Sequence, residues 1–460
     1  MKISNLTNGS ISILVLVFGL VFAVGVGGLV IVAATQYTSS RRTEAFENAL
    51  TVAQAGAEYY RWHLAHDPLD FKDGTSSPGP YEHALTDPYG NTDGTFSLTI
   101  TPPASGSSIV TINSQGWSNA FPDIKRTVEA RYGIPSLAKF SFLHNANVWF
   151  GSGITVHGKV MSNGGIRMDG TNDSTVQSAK ATYTCGSETG CSPTQTKPGV
   201  WGAGGPTSLW TYPVPQVDFN ALSIDFSTVK TAAQTNGTYL GQSDAYGYHL
   251  IFASDGTYTI KKVTSAANRK GWSVEKGCEN LYQAISAEST VGTYSIATKP
   301  VIFIEDHLWV DGIVNGRVTV SAARFPIDVN SMNIWINGNL TYIAKDSHSS
   351  LGLFAQNNIY YSLNVPTNFE INGALLAQKG RIIRHNYKYG SCSSYSDAVR
   401  DKLTIYGAVI SNQKSYWNFG TGPTSGFRTR EVTYDTNLYF DPPPYFPSQG
   451  EYEFISWEEQ

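Results

Sequence analysis

From Ile11 to Ala34 the chain carries no charge and one hydroxyl, Ser12. As a helix this run rises about 36 Å at ~1.5 Å per residue, enough to cross a hydrocarbon layer about 30 Å thick with some tilt. A secretory signal peptide has a shorter apolar stretch of ~7–15 residues and a small-residue cleavage site behind it. The length therefore predicts a retained transmembrane helix over 11–34. Gly19, Gly25, Gly27 and Gly28 lie inside the run. They suit close approach of another helix in lipid, and equally the general frequency of glycine in membrane helices. Further on, Phe46, Ala49, Leu50, Ala53, Ala57, Tyr60 and Leu64 recur at helical steps and make one apolar face. Asp67-Pro68 ends it, because proline lacks a donor and disfavours helix in the residue before it. A single helix over 10–66 is predicted, half in lipid and half laid on a folded domain.

After the helix the period changes to two. Thr95 to Ile100, Ser108 to Asn113 and Lys125 to Tyr132 alternate apolar and polar residues, the pattern of strands with one buried face. Three antiparallel strands packed on the helix make a small subdomain over 67–135. The remainder repeats a short element, apolar-x-apolar-x-Gly-x-apolar. It occurs at Ile154–Val160, Leu308–Val314, Ile334–Leu340, Phe369–Leu375 and Leu403–Val409. Three copies continue to an amide, at Asn163, Gln378 and Asn412. Glycine suits a corner, apolar positions stack from coil to coil, and corner amides bond one another or the turn backbone.

The predicted fold is therefore mainly β with a long N-terminal α-helix. A small antiparallel sheet is followed by a right-handed parallel β-helix with an inserted loop-rich region; an antiparallel sandwich is the alternative for the same strands. The expected divisions are a leader over 1–9, the helix over 10–66 and the subdomain over 67–135. A first solenoid coil with a cysteine loop covers 136–201, an insertion 202–299, the solenoid 300–433 and a C-terminal strap 434–460. Within the insertion a helix is expected near Ser223 to Gln234, with strands near Tyr248–Phe252 and Thr257–Ile260. The strap, rich in proline from Asp441 to Pro447, is expected to cover the last coil.

Composition narrows the function. With 36 acidic and 32 basic residues the net charge is −4, which disfavours a nucleic-acid partner. Only 15% of residues are charged and there are 44 glycines, which disfavours a coiled coil or helical bundle. Lys2 on one side of the apolar run and Arg41 and Arg42 on the other barely choose an orientation. Cys185 and Cys191 bracket a turn-rich loop that a disulfide would close; Cys278 and Cys392 form a second bridge or remain buried thiols. This usage points to an oxidising, extracytoplasmic location.

A polar leader ending in Gly9, an apolar helix from the next residue and the stretch Ala53-Gln54-Ala55-Gly56 resemble type IV pilin-related proteins, most of all PilX-type minor pilins. The resemblance implies cleavage by a prepilin peptidase between Gly9 and Ser10. It also implies packing of the mature helix with other pilin-like subunits. Major pilins carry Glu where this chain has Leu14, which favours an accessory or tip subunit. A plain single-pass anchor is the competing reading.

Catalytic chemistry is sparse. Asp169, Asp173, Glu305, Asp306, Asp311 and Asp328 are the carboxylates a polysaccharide-cleaving β-helix would draw on. Asp169 to Asp173 suits Ca²⁺ or a polar turn. Glu305-Asp306-His307 cannot converge if all three lie on one strand, since neighbours point to opposite faces. There is no P-loop, nucleophile elbow or zinc-spaced His/Cys set. Trp201, Trp210, Tyr212, Trp272, Tyr387, Tyr389, Tyr395, Tyr416 and Trp417 fall in polar segments, where they either present a sugar- or protein-binding surface or cap loops. The expectation is a non-enzymatic, membrane-anchored, surface-displayed pilus protein serving assembly or adhesion, without catalytic residues, cofactor or metal. Its expected partners are pilin-like subunits, the membrane, and a surface glycan or protein, with no nucleic acid. The alternative is a membrane-tethered carbohydrate-binding or carbohydrate-active β-helix.

Overall fold

The computed structural model describes residues 9–86, 88–104, 107–219, 225–420, 422–448 and 450–460. The leader thus lies outside the described residues, apart from the backbone of Gly9. The chain divides into two compact units, one of Met1–Pro102, Val110–Gly133 and Glu451–Gln460, the other of Pro103–Ile109 and Ile134–Gly450. The protein is mainly β, with one long N-terminal helix.

In the first unit the helix Gly9–His66 is unbroken. Residues 11–34 are exposed throughout, and burial begins at Ala45. The buried stripe is Ala45, Ala49, Val52, Ala53, Ala57, Tyr60 and Leu64. Phe46 and Leu50 do not belong to it, contrary to the periodicity. Phe46 is exposed and lies under the Arg126 guanidinium, 3.7 Å from its ring centroid. Small residues win the buried stripe because the helix comes very close to the sheet. A Cβ on Gly116 would stand 2.2 Å from the backbone nitrogen of Ala53, and one on Gly56 would stand 2.3 Å from Ser114 Oγ.

The sheet has five antiparallel strands, not three, ordered Tyr81–Thr86, Thr92–Thr101, Val110–Ser118, Phe121–Gly133 and Glu453–Glu459. The last corrects the strap expectation. Residues beyond Gly450 return to the first unit, where Phe454 pairs with Tyr132 and Trp457 with Ala130. They cover the edge that Phe121–Gly133 would otherwise leave open.

The second unit is built on parallel pairing. One wall runs Thr238–Leu240, Val301–Ile304, Arg317–Ala322, Ser350–Ala355, Asn368–Ala377, Val399–Ser411, Phe142–His144, Val160–Ser162, Val176–Ser178 and Trp210–Thr211. A second wall includes Gly247–Phe252, Leu308–Val314, Ile334–Tyr342, Gly426–Thr433 and Ile154–His157. Between the walls lies a continuous apolar core of residues such as Leu250, Val310, Ile336, Leu353, Ile371, Leu403, Val409 and Val156. The sequence repeat marks these rungs. Gly373 and Gly407 are register partners, and Gly407 has φ +148 with Gly373 O where a Cβ would stand. The corner amides do form ladders: Asn163 Nδ2 donates to Asn145 Oδ1, and Asn145 Nδ2 to Asn412 Oδ1, each at 2.9 Å.

The order of rungs differs from the order of the chain. Phe142 pairs with Val409 and Ile154 with Arg430, so the first rung sits on the last. The chain enters in the middle, builds outward to Trp210–Thr211, and starts again at the other end with Thr238–Leu240. The connecting segment lies along the outer face of the first wall. Val217 bonds Asn163, while Phe226, Val229 and Ala233 of the helix Phe226–Asn236 pack in one apolar cluster with Val301 and Phe303. The 202–299 region is therefore no simple insertion, because it supplies rungs at Thr238–Leu240 and Gly247–Phe252. The hairpin Thr257–Ser273 and Gly277–Ser295 departs from the ladder. It folds back so that Val263, Ala266 and Leu281 cluster with Trp309, Trp335 and Tyr360, and Cys278 is bonded to Cys392. The strap likewise covers a flank, not an end. Ser136 N donates to Tyr439 O at 2.7 Å, Arg317 is paired with Asp441, and Leu438 and Phe446 join the outer cluster.

Candidate functional site

Two features of the molecule are suited to partners: the bare half of the helix and a cavity in the second unit. On the helix, Ile13, Leu16, Phe18, Phe22, Leu29 and Ile31 are each more than half exposed. Among the described residues this is the one helix long and apolar enough to cross a membrane. Gly9 and Ser10 begin it, and the rest of the processing motif lies outside the described residues.

The candidate carboxylates are not brought together. Asp169 accepts from Trp149 Nε1 and Arg167 Nε at 2.8 Å and from Ala203 N at 3.0 Å. Asp173 binds His157 Nδ1 at 2.6 Å and Gly158 N at 3.1 Å. The two therefore serve separate partners, and among the described residues no group of His, Cys, Asp or Glu is arranged to hold a metal ion. Glu305, Asp306 and His307 occupy a corner between Val301–Ile304 and Leu308–Val314, not a strand. They diverge there: Glu305 pairs with Lys230 at 2.6 Å, Asp306 accepts from Ser243 N at 2.8 Å, and His307 Nδ1 accepts from Asn333 N at 3.1 Å. Asp311 meets His249 at 3.1 Å, and Asp328 meets Lys379 at 3.3 Å on the surface. The cysteines form two bridges, Cys185–Cys191 and Cys278–Cys392.

Most of the aromatics picked out by sequence hold loops. Trp272 stacks on Tyr389 at 4.2 Å between centroids, Trp201 Nε1 donates to Tyr183 Oη at 2.8 Å, and Tyr387 is fully buried. Trp417 is different. It lines a cavity of about 520 Å³ at the seam where the first rung meets the last.

The apolar lining is Phe142, Val148, Phe150, Ile154 and Trp417. Phe142 meets Phe150 edge-on at 4.9 Å and Trp417 at 5.9 Å between ring centroids. His144 also lines the cavity; it is buried, and neither ring nitrogen has a hydrogen-bond partner. Burial holds its pKa down at about 3, so the imidazole is neutral at physiological pH. Basic groups surround this lining: Arg167, Lys414, Arg428 and Arg430. Arg167 pairs with Asp169 and lies 4.3 Å over Trp149 and 4.8 Å over Trp201. Arg428 pairs with Asp401 at 3.0 Å. Lys414 donates to the Glu188 carbonyl, and burial lowers its ammonium pKa to about 8.

Arg430 has no such carboxylate among the described residues. It is 9% exposed and donates to the carbonyl oxygens of Phe427 at 3.3 Å and Ser152 at 3.0 Å. Burial lowers its pKa from the usual guanidinium value. Of the cavity residues, the sequence pointed to Tyr416, Trp417 and Asp169. His144 and Arg430 carry no motif, and only the stacking of distant rungs brings them to one place.

No protein-family model and no curated protein matches the chain. Among solved structures, the crystal structure of competence-associated pilin ComZ from Thermus thermophilus is similar over 90% of this chain and 97% of that one, with 13% identity and a TM-score of 0.30. A superposition that loose decides nothing about fold or function here, and the reading that follows rests on this chain's own residues.

Proposed function

We propose that the chain is a membrane-anchored, surface-displayed minor pilin or pilus-associated structural protein with a role in assembly or adhesion. The unbroken helix Gly9–His66 carries the reading: bare and apolar in its first half, held to a sheet through alanine and glycine in its second. Apolar helical surface of that length is tolerated in lipid or against similar helices, and poorly in water. In this reading the leader is cut between Gly9 and Ser10, and the freed helix moves from the membrane into a filament. Leu14, uncharged where major pilins have Glu, suits an accessory position of the PilX kind. The parallel ladder is read as a right-handed β-helix displayed outside the membrane, and the two disulfides support an oxidising compartment.

Mass spectrometry of the protein recovered with sheared fibres tests this. A mature N-terminus at Ser10 in the fibre fraction is expected; a chain that keeps its leader and stays wholly with the membrane would overturn it. The same reading holds that the protein runs no reaction. Asp169 is the one carboxylate among the described residues lining the cavity, and three donors already occupy it. Release of reducing ends from a polysaccharide by the purified chain, abolished by Asp169→Asn, would argue for catalysis instead. A second reading, a membrane-tethered carbohydrate-binding protein, is favoured by the aromatic lining of the cavity.

A further inference from the structure

We infer that the seam cavity binds a single acidic sugar ring, with its carboxylate on Arg430 and one face of the ring against Trp417 and Phe142. The inference deepens the second reading and stands whether or not the helix enters a filament.

A buried cation without a counter-ion is costly to fold around, and an anionic ligand relieves that cost when it arrives. Arg430 presents such a charge at the wall of a cavity, held in place by the carbonyls of Phe427 and Ser152. A guanidinium pairs two N–H donors with the two oxygens of a carboxylate, which fixes orientation as well as charge. The volume falls within the range of small-molecule sites, and the aromatic lining suits a ring with an apolar face. The hydroxyls of Ser152 and Ser415 on the cavity wall supply the polar complement. Each can donate to and accept from a sugar hydroxyl, whereas a purely aromatic acid has no hydroxyl to pair with them.

The surroundings weigh against the other occupants. Arg167 and Arg428 are already neutralised by Asp169 and Asp401, and Lys414 is held by the Glu188 carbonyl, so the cavity lacks the row of free cations that a nucleic-acid backbone needs. A neutral sugar would leave Arg430 without its counter-charge.

Calorimetric titration of the full chain in detergent micelles tests the assignment. The probes are methyl glucuronide, methyl glucoside, benzoate and a thymidine dinucleotide. Saturable binding of the glucuronide is expected, at least about tenfold tighter than the glucoside, the scale of one charge-assisted hydrogen bond. Arg430→Gln is expected to bring the glucuronide down to the level of the glucoside. Ser152→Trp places a large ring at an exposed position of the cavity wall. It is expected to abolish binding without moving the melting temperature, and it tests the site even if Arg430→Gln fails to fold.

Equal affinity for glucuronide and glucoside would overturn the proposal. So would tighter binding of benzoate or the dinucleotide, full binding by Ser152→Trp or by a folded Arg430→Gln, or no saturable heat at ~10 mM of either sugar. None of these outcomes depends on the state of the N-terminus, so failure here is separate from failure of the pilus reading.

Discussion

His144 is a buried, neutral imidazole stacked 5.9 Å from the Phe142 ring, with both nitrogens unspent. Unfolded, it titrates near 6.5; folded, near 3. Between those values the unfolded chain holds the extra proton, so folding weakens as pH falls from 6.5 towards 3 and is unaffected by this group above 6.5. The single site accounts for on the order of 4 kcal/mol across that window. Denaturant titrations at pH 7 and pH 4 should show a larger loss for the natural chain than for His144→Phe, and equal losses would remove the buried histidine from the explanation. Nothing near His144 in the sequence predicts this. Its neighbours Phe142 and Asn145 mark a strand and a corner, and the strands on either side of it, Val399–Ser411 and Val160–Ser162, come from other rungs.

At the scale of the element, the helix and the ladder strands were legible because each repeats its period many times. The apolar run, the Asp67-Pro68 stop and the glycine-marked rungs all correspond to observed elements. Two strands were less visible. Tyr81–Thr86 buries none of its residues fully, and Glu453–Glu459 follows a proline-rich segment that masked its short alternation. The buried helix face departs from the periodicity, which favours large residues such as Phe46 where close approach demands small ones. Gly116 is the sharpest case, lying against the helix backbone at Ala53. Gly116→Val is expected to destabilise the first unit by about 3 kcal/mol, since neither backbone can give way without losing sheet or helix bonds. Thermal unfolding followed by hydrogen exchange in Val110–Ser118 checks it; exchange unchanged from the natural chain would contradict the packing.

At the scale of the whole molecule, sequence order was a poor guide to spatial order. The repeat gave rung identity but not which rungs touch, because parallel strands pair equally well in either direction of stacking. Sequence spacing does not pair Cys278 with Cys392, because the two meet only once the hairpin has folded back over Trp309 and Trp335. Their bridge closes a loop of 114 residues, against 6 for Cys185–Cys191. Chain-entropy reasoning puts these at about 4.7 and about 2 kcal/mol. Replacing each pair by serine and comparing denaturation midpoints should show the larger drop for Cys278/Cys392, and the reverse order would contradict the loop assignment.

The rung that begins at Phe142 rests on one that ends at Thr433. A ribosome therefore releases the upper storeys of this tower well before the storey that must support them. During synthesis Val148, Phe150 and Ile154 emerge without their floor and must be shielded from aggregation until the tail of the polypeptide arrives. Completion is thus a late event, waiting on the last rungs of the chain. A truncated messenger would yield an anchor bearing an unfinished stack, not a shorter finished one.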